Sequence, residues 1–177
     1  VELAFSLRTY NNGFKYEIKD DVHEDVRLTK FDNIAKSLNI DKRKIILPKQ
    51  EHTDNIRIIK KEDIINNNLD FMENDNLNNI DSNLVINLFY KLRDIDGLIT
   101  NVKGAILATT FSDCTPLFFY DPIKNVIANI HSGWVGTTKK IGAKTVDILV
   151  KQMDCKPENI LCFIGPHIRK DHFLVND

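Results

Sequence analysis

Apolar residues in the second half of the chain fall in short blocks that turn residues separate. Three of these blocks are typical of buried strands: residues 105–110, 117–120 and 125–130. Asp121 and Pro122 stand between the last two blocks and predict a β-hairpin whose strands are buried on both faces. A further apolar block, 160–164, ends at Gly165-Pro166 and predicts a last strand.

Two segments show the residue spacing of a helix with one buried face. In the first, predicted over residues 24–38, the apolar positions are Phe31, Ile34, Ala35 and Leu38. The second is predicted to begin at Thr137 or Thr138, since either hydroxyl suits an N-cap. Its apolar face is formed by Val146, Leu149, Val150 and Met153.

The first half of the chain is less regular. Strands are predicted in three places: residues 3–8, 44–48 and 55–59. Asn11-Asn12-Gly13 predicts a turn, and residues 66–83, which include eight asparagines, predict an inserted polar loop. Residues 84–90 fit either a helix or a strand. The sum is one α+β domain over residues 1–177, with helices packed outside the strands.

Composition limits the kinds of function that fit this chain. Lys and Arg number 24 against 25 Asp and Glu, and the net charge of −1 gives no electrostatic case for nucleic acid or an anionic membrane. No apolar run approaches the ~18 residues that span a bilayer, and the first residues do not resemble a signal peptide. Three cysteines are a poor disulfide framework, so we expect a cytoplasmic protein.

Three side chains with metal-binding or nucleophilic chemistry lie at predicted strand ends. Cys114 comes just before Pro116, His131 comes just before a glycine turn that would let a ligand approach the backbone, and His52 follows a strand. Taken singly, each has a plain alternative: a buried core cysteine, a structural histidine and a solvated loop histidine. Trp134 either stacks on a flat substrate or packs, and packing is the commoner behaviour of aromatic side chains.

Taken together, one cysteine and two histidines form a set that suits a metal ion. Three protein ligands with one position left for water are usual in catalytic zinc sites. Thiolate and imidazole suit zinc or copper rather than magnesium or calcium. The gaps of 62 and 17 residues between the three side chains match no short motif, so only the fold can bring them together.

Two segments around these residues resemble the signatures of a known family. Residues 113–116, Asp-Cys-Thr-Pro, and 131–137, His-Ser-Gly-Trp-Val-Gly-Thr, are similar to Asp-Cys-x-Pro and His-Ala-Gly-Trp-Arg-Gly-Thr of the YfiH/LACC1 laccase-domain family. That family is also called the multicopper polyphenol oxidoreductase or purine nucleoside phosphorylase family. Four supporting segments follow the family's order, so the resemblance covers essentially the whole chain: 6–13, 50–52, 96–100 and 164–168.

The resemblance implies a fold and a chemistry. The fold is a four-layer α/β/β/α sandwich of the YfiH-like type, here expected to be incomplete at the C-terminus. The metal is zinc, with copper as second choice, held by His52, Cys114 and His131. The chemistry is phosphorolysis of adenosine, inosine and methylthioadenosine and deamination of adenosine, so the implied partners are a purine nucleoside and phosphate. Copper-dependent phenol oxidation, an older family assignment, is disfavoured because two Met and five His are too few for a multicopper set.

Further residues receive roles from the same resemblance. Arg8 is the candidate phosphate clamp, and Asp113 would orient a ligand or move a proton. Gln50 and Trp134 are expected to contact the substrate. Val135 stands where the family signature has arginine, and this leaves phosphate and water open as acceptors.

Two other classes of function stay open beside the nucleoside enzyme. One is a metal-free hydrolase that acts on an amide or peptide, with Cys114 as nucleophile and His131 as base. The other is a non-catalytic member of the family that binds a partner or a metal, since a fold does not by itself carry an activity.

Overall fold

The computed structural model describes residues 35–40, 44–65 and 92–173, without the side chains of residues 64 and 65. Four sequence predictions lie outside these residues: the strand at 3–8, the turn at 11–13, the inserted loop at 66–83 and the segment 84–90. Of the predicted helix 24–38, only 35–38 is described, and it is helical.

The chain divides into two compact units, residues 1–42 and 43–177. In the first unit, Ala35 is buried and its carbonyl accepts a hydrogen bond from the Ile40 amide. This bond closes the end of the helical turn at Asn39, whose φ is 51°. The single domain expected over the whole chain stays a prediction, and the fold below is that of the second unit.

Seven strands form two sheets in the described part of the second unit. They are β1 (Ile45–Ile46), β2 (Ile56–Ile59), β3 (Gly97–Thr100), β4 (Ile106–Leu107), β5 (Thr115–Asp121), β6 (Val126–Ser132) and β7 (Leu161–Ile164). The larger sheet has the order β2-β3-β6-β5-β7, in which β2 and β3 are parallel and the other neighbours antiparallel. The smaller sheet pairs β1 with β4 in parallel.

The predicted hairpin is confirmed as β5 and β6, which pair from Thr115 opposite Ser132 to Asp121 opposite Val126. Burial on both faces holds for β6, where Ile127 is the one half-buried residue, but not for β5. The reason is position: β6 lies inside the sheet, whereas β5 is followed by the edge strand β7, whose four residues are all exposed.

The strands of the small sheet are shorter than the apolar blocks that predicted them, 44–48 and 105–110. After β1, Pro48 has no N–H to donate to a strand ladder. The Ala108 amide donates to the Ile46 carbonyl, and the pairing ends there. Behind this sheet lies a small apolar core of Ile46, Ile59, Leu92, Leu98 and Ala105.

In the second unit the structure also describes the helices α1 (Lys61–Ile65), α2 (Trp134–Thr138) and α3 (Ile141–Gln152) and a 3₁₀ turn at Pro157–Asn159. The predicted helix start at Thr137 or Thr138 is wrong, because the chain breaks at Lys140, whose φ of 59° is left-handed. Both threonine hydroxyls bind elsewhere: Thr137 Oγ1 lies 2.8 Å from Ser132 Oγ, and Thr138 donates to the Val135 carbonyl.

Helix α3 covers the larger sheet with the apolar face that its periodicity predicted. Leu149 and Ile141 are buried in a core with β3, β5 and β6, and Val146 and Met153 pack against it. Burial of such a stripe supplies most of the stability of a surface helix. Among the described residues, no helix is long and apolar enough to cross a membrane.

Candidate metal centre

The three predicted ligands come from three separate segments and meet at one end of the larger sheet. His131 lies in β6, Cys114 directly precedes β5, and His52 lies in the loop before β2. The β5–β6 register sets Thr115 opposite Ser132, which brings the residue before β5 close to the end of β6. One ligand atom from each side chain lies within 4.8 Å of the other two.

The cluster is closed on one side and open on the other. His131 is buried, Cys114 is half-buried and His52 is exposed. Cys114 Sγ lies 3.8 Å from His52 Nε2, and the two imidazole rings meet edge to face with centroids 5.0 Å apart. Three ligands with an exposed flank fit a metal that keeps one coordination position for solvent or substrate.

The ring of His131 is held from behind by a buried carboxylate. His131 Nδ1 lies 2.7 Å from Asp96 Oδ1, and the His131 amide donates to the Asp96 carbonyl at 2.7 Å. This contact occupies Nδ1 and leaves Nε2 as the nitrogen available to a metal. A carboxylate behind a ligating histidine is the usual outer partner of zinc sites, so the residues present fit the implied ion.

The loop that carries His52 is bound to the same carboxylate. The amides of His52 and Thr53 donate to Asp96 at 3.2 and 2.7 Å, and the Glu51 amide donates at 3.3 Å. His52 has a φ of 59°, and this left-handed turn lets three successive N–H groups converge on one anion. The sequence did not single out Asp96 as a site residue, although Asp96 opens the family-like segment 96–100 directly before the apolar strand β3.

Burial opposes ionisation of Asp96, but hydrogen bonds from His131, Thr53 and Glu51 outweigh it and hold the pKa of this carboxyl below its ordinary value. The side chain is completely buried. Its hydrogen-bond partners are three backbone amides, the Thr53 hydroxyl and the His131 ring, all of which can donate to a charged carboxylate.

The two glycines after His131 have a different role from the one the sequence indicated. A Cβ on Gly133 would lie 2.7 Å from His52 Cδ2, and one on Gly136 would lie 2.9 Å from the Thr53 carbonyl oxygen. The absence of side chains at these positions therefore makes room for the His52 loop, and the approach of a ligand to the backbone stays a prediction.

The thiol of Cys114 sits in surroundings that disfavour the thiolate. Burial, followed by the nearby carboxylates of Asp113 and Asp96, raises the pKa of Cys114 above its ordinary value. A divalent cation in the cluster would reverse that balance, since a coordinating thiol is deprotonated. Asp113 itself is exposed, and its carbonyl accepts a hydrogen bond from the Ile168 amide.

The side chains predicted to contact the substrate differ in their hydrogen bonds and in their exposure. The Gln50 amide pairs with Thr110: its Nε2 donates to the Thr110 carbonyl at 2.7 Å, and its Oε1 accepts from the Thr110 amide at 2.8 Å. Trp134 is 64% exposed at the start of α2, so the expectation that it packs is wrong. Arg8 lies outside the described residues.

A second ionic contact fixes the His52 loop against the start of α3. Asp54 accepts from Lys139 and Lys144, each at 3.1 Å, and Lys144 also donates to the Asp54 carbonyl. These lysines lower the pKa of Asp54. The family signature has arginine at the position of Val135. Lys139, four residues later, is bound to Asp54.

A family model described as multi-copper polyphenol oxidoreductase laccase matches residues 5–177. The chain belongs to this family. The resemblance inferred from the Cys and His-Gly-Trp segments is thereby confirmed, together with an α+β fold of the YfiH type.

Two curated relatives carry different activity names. The purine nucleoside phosphorylase YlmD of Bacillus subtilis is 42% identical over 86 residues, which are 49% of this chain and 31% of that protein. The adenosine deaminase RL5 of an unknown prokaryotic organism is 26% identical over 153 residues, or 86% of this chain and 50% of that protein. The chain therefore spans about a third to a half of the length of these relatives.

A solved structure supports the same fold. The Bacillus licheniformis hypothetical protein YfiH superposes with a TM-score of 0.69 at 25% sequence identity. The match covers 88% of this chain and 52% of YfiH. A crystal structure therefore contains the same fold over most of this chain.

Proposed function

We propose that this chain carries the zinc centre of a purine nucleoside enzyme, with His52, Cys114 and His131 as the ligands. The observation that carries the proposal is the convergence of three ligand atoms within 4.8 Å, with one of the histidines exposed. The activity names of the relatives support purine nucleosides as the substrate class. Because the chain spans only part of those relatives, the activity of the whole protein is itself part of the proposal.

Zinc bound here would lower the pKa of a water molecule and supply a nucleophile for attack on a purine ring carbon. The chain's own residues would orient the metal ligands and hold the substrate. Asp96 holds the His131 ring, and the exposed Trp134 offers a flat face on which a purine can stack. Asp113, exposed beside Cys114, is proposed to move a proton to or from the substrate.

Phosphorolysis requires an anion clamp in addition to these groups. Val135 is apolar, and Lys139 is paired with Asp54. Arg8 remains the proposed clamp. Even with Arg8 as the proposed clamp, this chain lacks the arginine that the family signature has at the position of Val135. We therefore place water ahead of phosphate as the acceptor at this centre, and adenosine deamination ahead of phosphorolysis.

Zinc is preferred to copper because of the donor set. Blue-copper sites add a weak axial ligand, commonly methionine, to two histidines and a cysteine. Of the two methionines, Met153 packs against the apolar core under α3, and Met72 lies outside the described residues. In the described part of the chain, the His52, Cys114 and His131 group is the one set of three or more side chains placed to hold a metal.

One observation favours a second candidate. Asp96, His131 and Cys114 follow the order of a carboxylate–imidazole–thiol triad, which would serve a metal-free cysteine hydrolase. Against it, the ring nitrogen recorded close to Cys114 Sγ belongs to His52, and the surroundings of the thiol raise its pKa instead of lowering it.

Metal content decides between the two candidates. We expect about one zinc per chain in the purified protein by mass spectrometry, and almost none in Cys114→Ala. Cys162→Ala is the matched control, because this thiol is exposed on β7, and it should keep its zinc. Adenosine and inosine are then assayed by chromatography with and without phosphate.

Two results would contradict the zinc proposal. One is a folded wild-type protein that takes up no zinc when zinc is supplied. The other is a Cys114 thiol that is alkylated equally fast with and without zinc, as a metal-free nucleophile would be. Formation of inosine from adenosine without phosphate would support water as the acceptor.

A further inference from the structure

We propose that Asp96 is the positioning residue of the metal centre and that a single oxygen, Oδ1, sets both histidine ligands. The inference rests on the proposed function, since it takes His52 and His131 to be metal ligands. It adds a residue that contacts neither the metal nor the substrate and acts through the two histidines.

The contacts of Oδ1 carry the inference. His131 Nδ1 lies 2.7 Å away, and the His52 amide donates to the same atom at 3.2 Å. The first contact orients the His131 ring, and the second orients the backbone that carries His52. The two ligands are 79 positions apart in the sequence, yet one atom is their common reference point.

The second oxygen keeps the first in place. Asp96 Oδ2 accepts from the Thr53 amide at 2.7 Å and from the Glu51 amide at 3.3 Å, and the Thr53 hydroxyl lies 2.8 Å away. Backbone amides can only donate, so both oxygens of Asp96 serve as acceptors. His131 must therefore donate from Nδ1, and this fixes the tautomer whose Nε2 lone pair is free for a metal.

Asp96 is itself rigidly mounted. Its amide donates to the Asn55 carbonyl at 3.0 Å, and its carbonyl accepts from the His131 amide at 2.7 Å. The residue is completely buried directly before β3. An asparagine here would turn an NH₂ group toward amide or imidazole donors, because an amide has only one accepting oxygen. The conservative substitution should therefore disturb both histidines.

Zinc affinity tests the inference through competition with a chromophoric chelator. We expect Asp96→Asn to bind zinc about 10- to 100-fold more weakly than the wild type, the usual cost of losing an outer partner of a ligand. Asp94→Asn is the matched control: the same chemical change two residues away, at an exposed position with a left-handed φ of 56° that asparagine tolerates. It should bind as the wild type does. Affinity of Asp96→Asn within about threefold of the wild type, well below that usual cost, would overturn the inference.

The tautomer of His131 provides a readout that general destabilisation does not move. In the metal-free wild-type protein, long-range nitrogen–proton NMR spectra should show His131 as the Nδ1–H tautomer. An Nε2–H tautomer would overturn the inference, and this measurement decides it if Asp96→Asn does not fold. If the wild type binds no zinc, the proposed function fails, while the tautomer still reports on Asp96 alone.

Discussion

Two buried carboxylates at different ends of the larger sheet show two ways of using the same side chain. Asp121 ends β5, and its Oδ1 accepts from the amides of Ile123 and Lys124, two and three residues ahead. Asp96 precedes β3, and its side-chain donors lie 35 to 45 residues away along the chain. The first carboxylate closes a local turn, whereas the second gathers distant segments into a site.

The two carboxylates also differ in how fully they are used. Both oxygens of Asp96 have donors. Asp121 Oδ2 has no hydrogen-bond partner among the described residues. Burial, followed by the Asp121 carboxylate, raises the pKa of the nearby Cys155 thiol to about 11. Asp96 must accept a hydrogen bond from each of its distant donors, because each buried donor left without an acceptor destabilises the fold.

The largest expected effect separates the two carboxylates by stability. We expect Asp96→Asn to lower the free energy of unfolding by about 3 kcal/mol, since buried amide donors would face an NH₂ group. Asp121→Asn should cost about 1 kcal/mol or less, because one oxygen still accepts the turn amides and no N–H group of the described residues donates to the other. Urea denaturation of both variants measures this, and equal losses would remove the distinction.

A smaller effect is expected from the space that the site requires. Gly133→Ala would push its Cβ against the His52 ring and should weaken zinc binding about tenfold. Gly142→Ala is the control, because its Cβ would meet only the end of Leu117 at 3.1 Å. Chelator competition measures both variants. Wild-type affinity in Gly133→Ala would show that the His52 loop adapts without its glycine.

A third expected effect is a pH dependence at the Asp121 end. Because the folded protein raises the pKa of Cys155 from 9.0 to about 11, its contribution to stability is complete below pH 9 and is lost as the pH rises to 11. Cys155→Ala should therefore lose less stability between pH 8.5 and 10.5 than the wild type. Urea denaturation at the two pH values gives the change in the free energy of unfolding with pH for each protein. Equal changes in Cys155→Ala and the wild type would contradict the expectation.

Short-range features of the fold were predictable. Asp121-Pro122 between two apolar blocks predicted the β5–β6 hairpin, and the spacing of Val146, Leu149 and Met153 predicted the face of α3. The start of α3 was not predicted, because a left-handed Lys140 breaks the helix where no glycine or proline signals it. Neither Thr137 nor Thr138 caps α3, because the helix begins after Lys140 and both hydroxyls bind other groups.

The candidate site was predictable in its chemistry only. Residue types pointed to Cys114, His52 and His131, and the family resemblance implied that they form one ligand set. The exposure of Trp134 was not predictable, since it depends on what surrounds the first turn of α2. The roles of Gln50, Asp113 and Arg8 stay predictions.

The sequence by itself determined which segments are strands or helices and which side chains can bind a metal, because periodicity and turn chemistry act over a few residues. The tertiary structure alone decided that His52, Cys114 and His131 meet, that Asp96 joins the two histidines, and that Gly133 leaves room for the His52 ring. The physical reason is strand register. Pairing of β3 with β6 and of β5 with β6 sets residues tens of positions apart within hydrogen-bond reach, and no local pattern encodes that distance.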